Sequence, residues 1–138
     1  MRFMMIVKAN RKFEAGEPPN PKLIATIAEH GEKLRQAGIL LSTGGLLPTS
    51  KGARIQADGG KLNVIDGPFA ETKELVGGFA IMKVNSREEA IELGKTFMQL
   101  HVDVLGPEYD GQLEIRQMMD VPTCLEEFAA AQAETVNS

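Results

Sequence analysis

Two short apolar runs constrain this chain more than any other feature. Phe3, Met5 and Val7 alternate with Met4 and Ile6, and Phe79 and Ile81 alternate with Ala80 and Met82, so both faces of either extended segment are apolar. A strand with two apolar faces belongs in the interior of a sheet, with strands on both flanks and cover on both sides. RFMMIVKAN also resembles GFAIMKVNS in its apolar pattern, a weak internal repeat. Each run is followed by an amphipathic segment and a further extended one, so strand-helix-strand occurs twice.

The signals between the runs set the other elements. Residues Asn10 to Asn20, rich in Pro, Gly and charge, read as a loop. Asn20 offers a capping side chain and Pro21 suits the first helical position, which predicts a helix to about Ala37 with Gly38 as its stop. Ile24, Ile27, Gly31 and Leu34 form its apolar stripe, Leu23 widens it, and His30 lies on the edge. ILLST is a short strand, and Ala53 to Gln56 and Lys61 to Ile65 flank Asp58-Gly59-Gly60 as a tight hairpin. Ser86-Arg87-Glu88-Glu89 fits a capping box ahead of a helix from Arg87 to about Leu100, with His101 at its carbonyl end as a favourable cation. Leu113 to Met118 is the last strand, and Thr123 to Glu126 caps a short C-terminal helix.

Right-handed crossovers then put both helices on one sheet face, giving an α+β, ferredoxin-like sandwich with an inserted β-hairpin. At 138 residues the expectation is one domain over residues 1–121 with a helix or tail over 122–138. The second sheet face is apolar and bare, so a two-fold homodimer through that face is expected. A net charge of -4 with no Lys/Arg cluster argues against a nucleic-acid partner. The lone Cys124 and two histidines carry no zinc spacing, so no metal is expected, and the N-terminal apolar run is too short for a signal peptide or membrane span. A cytoplasmic protein with no cofactor and a small polar ligand is the resulting reading.

The segment Asp66 to Phe79, DGPFAETKELVGGF, concentrates what chemistry the sequence offers. Asp66 precedes Gly67-Pro68, where its carboxylate either rigidifies a turn or contacts a ligand. Glu71, Thr72, Lys73 and Glu74 are either a solvated turn or a cation and two carboxylates for a polar ligand, Glu71 and Lys73 being the two to test. Phe69 reads as a core anchor. Gly77-Gly78 opens no helix and precedes no Lys-Ser/Thr, so it is no phosphate loop. His30, with an intrinsic pKa near neutrality, is the candidate general base, against the alternative of a histidine satisfied by backbone or water.

The same segment resembles the signature of the DGPF-domain, YCII-related family. MRFMMIV, the stretch EHGEKLRQAGILLSTGGL from Glu29 and the closing EIRQMM from Glu114 extend the resemblance over residues 1 to 120. It implies a dimeric α+β barrel fold and, from the broader group, a histidine–aspartate acid/base pair. His30 stands at the position of the helical histidine. Gln112 stands where the acidic partner is expected, which leaves Asp66, Glu71 or Glu74 to replace it. The resemblance thus implies a cofactor-independent lyase or isomerase with catalytic His30 and Asp66 and ligand-binding Glu71 and Lys73. The alternative is a non-catalytic dimeric binding or accessory module linked to transcriptional regulation.

Overall fold

The structure, a computed structural model, describes residues 1–70, 74–119 and 129–133. Strand β1 (Arg2–Lys8) leads through the one-turn helix α1 (Arg11–Glu14) to helix α2 (Pro21–Gln36) and strand β2 (Leu40–Gly45). A 3-10 turn (Thr49–Lys51) precedes the hairpin of β3 (Ala53–Asp58) and β4 (Lys61–Asp66), followed by β5 (Val76–Lys83), α3 (Arg87–Leu105) and β6 (Leu113–Gln117). The main sheet runs β2-β5-β1-β6 with every neighbour antiparallel, and the hairpin is a separate two-stranded sheet. This is an α+β, ferredoxin-like fold with an inserted hairpin.

The two doubly apolar runs are the inner strands β1 and β5. Their register sets the core: Phe3 lies opposite Met82 and Gln117, and Met5 opposite Ala80 and Ile115. Phe3, Met5, Met82, Val84 and Ala90 are buried together, with Leu34 of α2 and Leu93 of α3 packed against them. A slip of one residue would turn this set to the opposite face, which fixes the pairing. Met5 is 2% exposed, and burial of such a side chain stabilises the fold by about 1.5–3 kcal/mol. On the opposite face Met4 and Ile6 pair with Ile81 and Phe79, and all four are only half-buried.

The helix starts follow their capping residues. Asn20 Oδ1 accepts from the backbone N–H of Lys22 at 2.8 Å and of Leu23 at 3.2 Å, with Pro21 at the first turn. Ser86 Oγ accepts from Glu89 N–H at 3.1 Å, while the Glu89 carboxylate accepts from Asn85 N–H, the residue before the cap rather than the cap itself. The hairpin turns through Gly59 and Gly60, both at positive φ (57° and 83°), as a two-residue connection requires.

Three local features differ from the sequence reading. The loop after Asn10 contains α1, because Asn10 Oδ1 accepts from Phe13 N–H at 2.8 Å and starts a turn. α3 runs past Leu100 to Leu105, where Gly106 ends it; nothing in His101 to Leu105 breaks a helix, and His101, the buried residue of this stretch, anchors it. On α2 the half-buried positions are Leu23, Thr26, Ile27, His30, Gly31 and Leu34, whereas Ile24 is 51% exposed. The helix packs on α3 as well as β2, and the two contacts rotate the buried stripe towards Leu23 and His30. Cys124 and the cap at Thr123 to Glu126 lie outside the described residues.

Candidate functional site

His30 sits within the half-buried stripe of α2, whose packing on α3 and β2 holds it there. Its Nε2 is buried and has no hydrogen-bond partner among the described residues. A buried polar atom left unpaired costs about 1–3 kcal/mol, so native structures rarely keep one without a use for it. His30 Nε2 is thus a buried imidazole nitrogen whose hydrogen-bonding capacity is not used by the described residues.

Asp66 ends β4 opposite Ala53 and is exposed. Within one chain it makes no hydrogen bond to His30, whose Nε2 is unpartnered. Glu71 and Lys73 lie outside the described residues. Glu74, the other carboxylate considered as a partner for His30, instead lies 3.7 Å from Lys8 Nζ, which also approaches Glu114 at 3.4 Å. The Lys8 side chain is 11% exposed, and two carboxylates offset the cost of removing that ammonium from water.

The turn that follows Asp66 is fastened by residues that carry no sequence signal of the role. Glu14 on α1 accepts hydrogen bonds from the Thr49 backbone N–H at 3.0 Å and from the Thr49 hydroxyl. Thr49 Oγ1 in turn accepts from Phe69 N–H at 3.0 Å. Gly67 N–H donates to Gly52 O at 3.0 Å, and a Cβ on Gly67 would stand 1.7 Å from Thr49 O, so only glycine fits beside that carbonyl. The Gly67–Pro68 peptide is cis. Phe69 is not in the core cluster; the Arg54 guanidinium lies over its ring, 3.9 Å from the centroid, a cation–π contact. The turn is thus a rigid platform at the base of the hairpin, built from α1, the 3-10 turn and β3.

His101 does not cap a helix end. It is 7% exposed, its Nδ1 lies 2.9 Å from Phe97 O, and its ring meets Phe97 edge-on at 4.7 Å and stacks on Tyr109 at 5.3 Å. Burial, with a smaller contribution from the Asp110 carboxylate, raises the Tyr109 phenol above its ordinary pKa. The signal for this cluster was the spacing of Phe97 and His101, four residues apart on one helix, which places both rings on the same face.

Among the described residues no three His, Cys, Asp or Glu side chains are grouped to hold a metal ion, and no helix is long and apolar enough to cross a membrane. An uncharacterized protein of Rhizobium meliloti (strain 1021) is 38% identical to the chain over 63 residues, 46% of this chain and 51% of that protein, so the alignment spans about half the length of this curated relative. A family model of the YCII-related domain matches residues 1–97, which takes in β1, α2, β2, the hairpin, β5 and the first half of α3. With the match covering most of the chain and the fold of the kind expected, the chain belongs to the YCII-related domain family.

Proposed function

We propose that this chain is a cofactor-independent acid/base enzyme of lyase or isomerase type, of the DGPF kind within the family, in which His30 exchanges a proton with a small polar substrate. The buried, unpartnered His30 Nε2 carries the reading. Such a nitrogen is held in place by helix packing and is free to bond an incoming group, as a general base must be. Asp66, Glu71 and Lys73 are the polar groups assigned to orient the substrate.

The working unit is a homodimer. Two features support this: the half-buried apolar set Met4, Ile6, Phe79 and Ile81 on the outer sheet face, and the hairpin, every residue of which is exposed. An isolated two-stranded hairpin is marginal in water, and an apolar surface of this kind is an association site.

Proton–deuterium exchange at the acidic carbon of a panel of enolisable α-oxo acids tests the reading in D2O. Exchange accelerated by wild type and abolished in folded His30→Asn supports it; exchange no faster than with His30→Asn across the panel overturns it. A second reading, a non-catalytic binding or accessory module, is favoured by one observation: among the described residues no carboxylate hydrogen-bonds His30 Nε2. That module would retain ligand binding in His30→Asn and show no exchange.

A further inference from the structure

The chain folds a crevice that His30 does not line. The end of β1 and α1 form one wall, and the turn from α3 into β6 forms the other, and the half-open space between them is about 790 Å³. That volume lies within the range of small-molecule sites. No residue of α2 or of the Asp66 turn lines it.

The walls carry opposite charges. Arg11 and Lys12 stand on the α1 side, and Glu108 and Asp110 on the turn side, yet none of these four forms an ion pair among the described residues. Lys8, which also lines the crevice, is already committed to Glu74 and Glu114. Two cations therefore face two carboxylates across an open space that neither pair closes.

Tyr109 belongs to the turn wall, between Glu108 and Asp110. Its ring is fixed by stacking on His101 at 25° between planes, and its turn is closed by Tyr109 N–H donating to Gly106 O at 3.1 Å. Gly111 leaves room for the phenol, since a Cβ there would stand 2.1 Å from Tyr109 Oη. Burial raises the phenol above its ordinary pKa, which favours its neutral, hydrogen-bond-donating form. Leu105 supplies an apolar edge.

We infer that this crevice binds a small zwitterion of amino-acid type, its carboxylate towards Arg11 and Lys12, its ammonium towards Glu108 and Asp110, and its apolar side chain against Tyr109 and Leu105. A singly charged ligand meets one attractive and one repulsive wall, whereas a zwitterion satisfies both. Complementarity of this kind selects among ligands more than it adds raw affinity.

Tyr109 is the single tyrosine in a chain without tryptophan, so its fluorescence reports directly on the crevice. The test titrates the full chain with L-leucine, isovalerate and isoamylamine, and follows the backbone amides of Gly111 and Gln112 by NMR to locate the response. The expected result is saturable binding of L-leucine with Kd on the order of 1 mM, with shifts at Gly111 and Gln112 and at least about tenfold weaker binding of either singly charged analogue. The pairs Arg11→Gln with Lys12→Gln, and Glu108→Gln with Asp110→Asn, each weaken L-leucine about tenfold or more; all four positions are exposed, so the fold tolerates the changes. No saturable response, equal binding of an analogue, or variants that bind like wild type would overturn the proposal.

Discussion

Thr49→Val isolates the hydrogen bonds that fasten the turn after Asp66. Valine keeps the shape of threonine and leaves the backbone N–H that donates to Glu14 at 3.0 Å. It removes the hydroxyl, which donates to the Glu14 carboxylate and accepts from Phe69 N–H at 3.0 Å. A hydrogen bond to a charged acceptor contributes about 1.5–3 kcal/mol, and a buried N–H left unpaired costs about 1–3 kcal/mol. Both Thr49 and Glu14 are half-buried, so water recovers part of each loss, and the expected destabilisation is about 2–3 kcal/mol. Urea unfolding of wild type, Thr49→Val, Glu14→Gln and the double variant measures it. The double-mutant cycle should return a coupling of about 1–2 kcal/mol, because the pair shares one network. Hydrogen exchange at the Phe69 amide should accelerate in Thr49→Val while the Met5 amide, in the central strand, does not open locally. A change below about 0.5 kcal/mol with Phe69 exchange unaltered would refute the fastening role, since that is the size expected of an ordinary surface substitution.

Gly67→Ala should be more disruptive than Thr49→Val, by about 3 kcal/mol or more in the same unfolding assay, because its Cβ meets the Thr49 carbonyl at 1.7 Å and backbone must move to relieve it; a near-neutral substitution would show that the turn adapts without cost. The phenolate absorbance of Tyr109, the single tyrosine, should titrate above the ordinary tyrosine value in the folded chain and return to it in urea. A phenol whose folded pKa is raised contributes stability that is fully present below its unfolded pKa, near 10, and is lost as pH rises from there through the folded value. Asp110→Asn should lower the folded midpoint slightly, since its charge is the smaller cause; a midpoint equal in folded and unfolded protein would rule out the desolvation. Sedimentation at micromolar concentration should give a dimer for wild type, and Leu62→Glu should shift it towards monomer without unfolding the sheet, Leu62 being 73% exposed in the single chain. A wild-type monomer would remove the dimer reading.

The sheet was legible because its information is local and redundant. Doubly apolar runs identify the inner strands, Gly59-Gly60 the hairpin, and Asn20 and Ser86 the helix starts, and each of these cues acts within a few residues. The helix face was less legible. Sequence periodicity gives the width of an apolar stripe but not its rotation about the axis, so Ile24 reads as core although the contact with α3 turns Leu23 and His30 inward. The last turn of α3 was missed for a related reason. His101 reads as a charged end group until tertiary packing supplies Tyr109 as a ring to stack on.

The candidate site was legible by residue type and not by connection. Histidine and aspartate announce acid/base chemistry, and that makes His30 and Asp66 candidates, but the groups that hold the Asp66 turn are Glu14 and Thr49, joined across 35 residues of sequence. No spacing rule encodes such a link, because it depends on where the fold places α1 against the 3-10 turn. The hairpin shows the same dependence beyond the single chain. Ile55 lies opposite Val64, both in strands whose residues are all exposed, with 71% and 68% of these two side chains in water. Alternation in the sequence specifies that an apolar face exists, and the described residues give it nothing to cover. A lone hairpin is marginal in water, so under the proposed dimer the apolar pattern of residues 53 to 66 is a local code for the surface that a second copy covers.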